Sequence, residues 1–285
     1  MEFQDARSAR PNKRRRWLTA GLFAFIGTGF FEAASSRGKF LLFDAMFYNG
    51  KPNLQRLGLQ PLPAVEHIWR NDASRDHVEE DGIRKALGRL PPRSQTFFLD
   101  IENWPLLDTT PEVRRESVQR LMRVAEIVRG CMPAAKFGYY DLPPAGTYWP
   151  LVDPQNRASE HAEWVEANRE LEPLAALVDF IFPSLYTFYD DRRGWLTYAD
   201  ETIKAARRYG KPVYPFLWSE YHDSNAQMRD HTIDQDAWKE ELKFCHAHAD
   251  GIVLWGGYSG SGHRLGWSES AEWWQAVRRE FNLTG

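Results

Sequence analysis

A chain of 285 residues, 43% hydrophobic and 26% charged, has enough apolar material for one full-sized core, which excludes a disordered or fibrous protein. Its formal charge of −3 falls to −6 without the first 36 residues, which carry six basic and three acidic side chains. A surface that acidic argues against nucleic acid as the partner. The two cysteines, Cys131 and Cys245, form neither a metal-ligand spacing nor a disulfide framework, so neither metal nor cofactor is expected and their pairing stays open.

In chain order, Lys13-Arg14-Arg15-Arg16 precedes an apolar run over 17–31 and the small residues Ala33-Ala34-Ser35-Ser36. That is the layout of an export signal, and Arg14-Arg15-Arg16-Trp17-Leu18 resembles a twin-arginine motif. The alternative is a membrane tether through 17–31, short against the roughly 20 residues of a spanning helix. Residues 1–36 are therefore expected to export or anchor the remainder, 37–285, as a secreted or periplasmic monomer.

From residue 40 onward, short apolar runs alternate with helical patterns. Strands are predicted over 40–44, 65–69, 96–103, 136–140, 180–186, 212–218 and 251–255. Helices are predicted over 75–90, 111–130, from 159 with a bend or restart at Pro173, and over 198–209, 234–248 and 268–281. Bulky apolar strands separated by helices indicate a parallel sheet covered on its outer face. No Gly-rich phosphate turn follows the first strand, so the expectation is α/β: a single (β/α) TIM-like barrel of seven or eight strands.

The stretch Thr96-Phe97-Phe98-Leu99-Asp100-Ile101-Glu102-Asn103-Trp104-Pro105 stands out. Strand side chains alternate, so Asp100 and Glu102 leave the same face about 6–7 Å apart. Neighbouring carboxyls raise one another's pKa, so one stays protonated beside a charged partner, as acid catalysis requires. Trp104, directly after the pair, is a candidate ring for holding a sugar. In a barrel of this kind catalytic residues sit where strands end. Those positions here are Asp44, Asp100, Glu102, Tyr140, Asp141, Tyr186, Trp218, Glu220 and Trp255. His is nearly absent from them, which disfavours a zinc hydrolase or a Ser-His triad. Carboxylates and aromatics at one mouth suit glycoside cleavage.

Other aromatics and histidines have structural readings. Phe137 and Tyr139 share a face opposite Tyr140 and are expected to pack against helices. Trp273 and Trp274 are expected in the core. His246 and His248, two apart on a helix, are expected at the surface. Asp44 is either an acid in the mouth or a helix-cap contact.

The order Asp100-x-Glu102-x-Trp104, Gly138-Tyr139-Tyr140 with Pro143, Pro183-Ser184-Leu185-Tyr186, and then 251–256 resembles the animal and venom hyaluronidases. The islands span 97–257. The resemblance implies a retaining hydrolase of β-linked N-acetylhexosamine glycans with substrate-assisted catalysis, an exception to the two-carboxylate scheme. It implies that Glu102 is the proton donor and that Asp100 orients the substrate acetamido group, whose oxygen attacks the anomeric carbon. It also implies that Tyr140, Tyr186 and Trp255 shape the N-acetyl subsite. This chain lacks the family's cysteine pairs, and its acidity sits poorly with a polyanionic substrate unless Arg70, Arg192, Arg193 or Arg264 makes a basic groove. Glu220 has no counterpart there; it either binds sugar hydroxyls or serves as the second carboxylate of a conventional glycosidase. A noncatalytic glycan-binding barrel at the cell envelope is the alternative from a different class.

Overall fold

The computed structural model describes residues 38–66, 68 and 77–284. The expected export or tether segment and Arg70 lie outside the described residues. Seven strand segments form: β1 (Leu41–Met46), β2 (Gln60–Pro61), β3 (Ala64–Val65), β4 (Thr96–Leu99), β5 (Lys136–Tyr139), β6 (Phe216–Trp218) and β7 (Gly251–Gly256). Every ladder between them is parallel.

β2 and β3 are halves of one rung. Leu62 N–H donates to Asp44 O (3.0 Å) on one side, and Phe98 N–H donates to Pro63 O (3.1 Å) on the other. Between β5 and β6, single parallel bridges join Tyr140 to Phe182, Ile181 to Val213 and Ser184 to Phe216. β7 then closes on β1, from Gly251 opposite Leu41 to Gly256 opposite Met46. The chain is thus a closed (β/α) TIM-type barrel whose rungs follow one another in sequence order.

Helices make the return journeys: α1 (Glu80–Leu87), α2 (Pro111–Cys131), α3 (Trp149–Val152), α4 (Ala158–Glu170), α5 (Glu172–Leu177), α6 (Arg192–Arg207), α7 (Gln235–His248) and α8 (Glu272–Glu280). Their starts are written locally. Thr110 Oγ1 accepts from Val113 N–H ahead of Pro111, and Asp234 accepts from the Asp236 and Ala237 amides. Pro173 restarts the helix after α4, because proline fits a first turn but not a helix interior.

Alternation along each strand sorts the core into two layers. Phe43, Leu62, Phe98, Phe182, Phe216 and Val253 fill the barrel interior. Phe97, Leu99, Phe137, Tyr139, Ile181 and Leu254 face the helices. Tyr139 is wholly buried there, and its hydroxyl donates to Leu121 O (2.7 Å), so it packs against a helix while Tyr140 turns inward. Trp274 is fully buried, and Trp273 packs against the same core. His246 and His248 are exposed. Both cysteines are free thiols.

Several elements differ from expectation: β4 ends at Leu99 rather than at 103, and 180–186 joins its neighbours only through isolated bridges. The second rung lies at 60–65, ahead of 65–69, because Pro61 and Pro63 look like breakers although the rung's bonds run through other groups. α6 starts at Arg192 rather than near 198, with Asp191 accepting from Gly194 N–H (2.9 Å). α3 forms within what reads as a loop carrying Tyr148 and Trp149.

Arg114 on α2 is the buried charge that ties this shell together. Its guanidinium meets Glu163 (3.0 Å) and Glu170 (3.4 Å), both on α4. Replacing it with alanine leaves two carboxylates without their cation. Arg114→Ala is expected to lower unfolding free energy by about 3 kcal/mol, read by denaturant titration with an unchanged m-value.

Candidate active site

The site grows from the C-terminal ends of the strands, where inward alternation carries polar groups past the aromatic filling. Phe98 faces the interior, so Asp100, two residues on, continues that direction. Burial, then the charge and hydrogen bond of Glu102, then Glu66, push the Asp100 carboxyl up to about 7. Asp100 therefore holds a proton near neutrality, hydrogen-bonded to Glu102.

Asp141 is a third acid at the same rim. It adopts φ +55°, a left-handed conformation that aspartate tolerates better than most residues. Its Oδ1 accepts from Ser184 N–H (3.1 Å). Burial pushes this carboxyl up to about 8, with Ser184 opposing the rise and Glu102 adding to it. Gly146 makes room for it: a Cβ there would lie 2.0 Å from Asp141 Oδ2.

Aromatic rings wall the acids. Tyr140 and Tyr186 lie 5.8 Å apart between ring centres, Tyr186 is 5.7 Å from both Trp218 and Trp255, and the two indoles meet edge to face at 4.7 Å. Tyr140 O–H donates to Ser184 Oγ (3.4 Å). Burial raises both tyrosine hydroxyls well above their ordinary range, so they stay neutral donors. Asp100, Glu102, Tyr140, Asp141, Tyr186, Trp218 and Trp255 thus converge at one rim.

Three expected site residues, Asp44, Trp104 and Glu220, do not join them. Asp44 stands in the middle of β1 between Phe43 and Ala45, which face the interior, so its own side chain faces outward. It accepts from Met46 N–H (3.1 Å) and forms an ion pair with Lys51. Trp104 belongs to the core shared with the helices and not to the interior cluster that holds Tyr186 and Trp218, so it packs instead of offering its face to a ligand. The strand ends at Leu99 and the chain bends at Trp104, which breaks the alternation that would have kept its ring in the mouth.

Glu220 is half-buried and pairs across the loop with Thr232. Burial, then the charge of Asp230, push its carboxyl up to about 7; neither Asp100 nor Glu102 contributes. It lines a separate cavity of about 630 Å³ with Tyr48, Thr232, Gln235 and Trp273. Of the arginines considered for a basic groove, Arg192 is committed to Glu240 and Arg264 lies over the Phe47 and Tyr258 rings. Among the described residues, no group of His, Cys, Asp and Glu is arranged to hold a metal ion.

Sequence reasoning missed His222, which reaches the mouth from the loop after β6. Its ring stacks on Tyr186 (5.8 Å, 25° between planes), and its protonation responds to Glu102. No motif marks it, because a loop after a strand end has no fixed alternation. Ser184 lay within a recognised island, but only the structure shows it bonded to both Tyr140 and Asp141.

No family model matches the sequence, and no curated protein matches it. Among solved structures the barrel is similar to bee venom hyaluronidase, with a TM-score of 0.59 at 15% identity, covering 86% of this chain and 97% of that one. It is also similar to bee venom hyaluronidase in complex with a hyaluronic acid tetramer, with a TM-score of 0.57 at 15% identity, covering 76% and 90%. At that identity the likeness speaks for the fold, and the chain shares the architecture of that enzyme over nearly all of its length.

Proposed function

We propose that the chain is a retaining glycoside hydrolase acting on an N-acetylhexosamine-containing polysaccharide, exported by residues 1–36. The observation that carries this reading is the coupled Asp100–Glu102 pair set among Tyr140, Tyr186, Trp218 and Trp255 at the rim of a closed barrel. A binding module needs the rings but has no use for a carboxyl held near neutral pKa beside a second acid. In this mechanism the substrate's acetamido oxygen attacks the anomeric carbon while Glu102 protonates the departing glycosidic oxygen. Glu102 then takes a proton from the water that opens the cyclic intermediate. Asp100 orients the acetamido group, and Tyr186 and Trp255 hold the sugar face.

A conventional two-carboxylate mechanism through Glu220 is disfavoured by its placement, because its electrostatic neighbour is Asp230 and it opens into a different cavity. Glu102→Gln is expected to lower turnover at least about a hundredfold with little change in binding. Asp100→Asn is expected to be similarly severe, and Glu220→Gln to cost less than about tenfold. Reducing ends released from a polysaccharide panel measure all three. Covalent labelling of Glu220 by a fluorinated glycosyl inactivator would sink the substrate-assisted scheme.

The pH profile follows from the pair. Below about 7 the Asp100 carboxyl keeps its proton beside Glu102; above that value Asp100 is charged and that proton is lost from the site. The rate is therefore expected to fall as pH rises through a limb near 7, and Asp100→Asn should move that limb. A limb that stays in place would show that Asp100 is not coupled to the titrating group. Export predicts that the protein recovered outside the cytoplasm either starts near residue 37 or partitions with membranes, as N-terminal sequencing of fractionated cells would report.

A further inference from the structure

His222 has no place in the mechanism above, yet its surroundings are built. The ring is held from three sides: stacked on Tyr186, 4.8 Å from Phe188, and edge-on to Trp218 at 6.1 Å. His222 N–H also donates to Thr187 O (2.9 Å), which fixes the backbone beneath it.

The two nitrogens are not equivalent. Ser224 N–H points at Nδ1 (3.2 Å), and Ser224 Oγ lies 2.7 Å from the same atom. A hydroxyl can reverse its role, but a backbone N–H only donates, so Nδ1 must accept. The proton of the neutral ring therefore sits on Nε2. Protonating Nδ1 would set two donors against each other. Burial also lowers the imidazole pKa, and it outweighs the opposing charges of Asp223 and Glu102. Asp223 Oδ1 is 3.6 Å from Nδ1, beyond hydrogen-bond range, on a side chain 55% exposed. Among the described residues, Nε2 has no hydrogen-bond partner.

We propose that His222 is a substrate-contacting residue: a neutral imidazole whose Nε2–H donates to an oxygen of the sugar seated against Tyr186. This rests on the glycosidase reading and adds to it a specificity contact that recognises an acceptor, a ring hydroxyl or the acetamido carbonyl. A fixed neutral donor beside an acid is useful there, because it binds the sugar without adding a cation that would hold Glu102 in its charged form.

The test uses the full-length chain and β-1,4-linked N-acetylglucosamine tetramer as the probe. His222→Phe keeps the ring contacts and removes the donor; His222→Gln places an amide N–H near the position of Nε2. His222→Phe is expected to raise KM about fivefold to tenfold with kcat changed less than about threefold, the size of one neutral hydrogen bond. His222→Gln should recover most of that loss. In the Glu102→Gln variant, imidazole nitrogen NMR at pH 7 should show the Nε2–H tautomer, with Nε2 shifting when the tetramer is added. An unchanged KM in His222→Phe, or an Nδ1–H tautomer, or an imidazolium at pH 7, overturns the role of His222 alone. A wild-type chain that neither binds nor cleaves the tetramer overturns the proposed substrate class together with this contact.

Discussion

Everything at the rim depends on the plug of aromatic rings inside the barrel. Phe43, Phe98, Phe182, Tyr214 and Phe216 meet largely edge to face, with ring centres 4.9–6.4 Å apart. Gly138 lets the neighbouring rung come close: a Cβ there would lie 2.3 Å from Phe180 O and 2.8 Å from the Phe182 ring. The plug keeps water from below, so acids resting on it are desolvated from one side and open to ligand on the other. That is the physical origin of the raised carboxyls of Asp100 and Asp141, for which burial is the largest cause.

Those shifts have a stability side. A carboxyl whose folded pKa lies above its unfolded value binds more protons in the folded state, so the stability it confers falls as pH rises through the interval between the two. For Asp100 and Asp141 that interval runs from the ordinary carboxylate range to about 7 and about 8. The fold tolerates this at the rim, and at Arg114 it balances a buried charge with Glu163 and Glu170. Strain at a rim is commonly the mark of a working site.

The likeness to bee venom hyaluronidase and the local chemistry of the mouth bear on different questions. The first concerns architecture at 15% identity. The second is independent of it: coupled acids, neutral tyrosine hydroxyls, indole faces and a fixed imidazole are what binding and splitting a glycosidic bond would use. Glu220 and its cavity, walled by Tyr48 and Trp273, are a feature of this chain that the resemblance does not account for.

Two local rules, alternation along strands and capping at helix starts, made much of this protein legible in its sequence. They separated Tyr139 from Tyr140, placed Asp100 beyond Phe98 on the inner face, and located the restart at Pro173. The same rules failed where the chain leaves regular structure or where a strand is interrupted. Trp104 was drawn into the helix-facing core at the bend beyond β4, Asp44 sat mid-strand instead of at a strand end, and the prolines at 61 and 63 concealed a rung. His222 and Ser184 gained their places through contacts with Tyr186, Tyr140 and Asp141, which are remote in sequence. Sequence by itself determined which residue types lie at the strand ends, because alternation is a property of the backbone. Only the tertiary structure decided which of them share one water-poor mouth, because desolvation and mutual charge depend on how loops and strands distant in the chain close over one another.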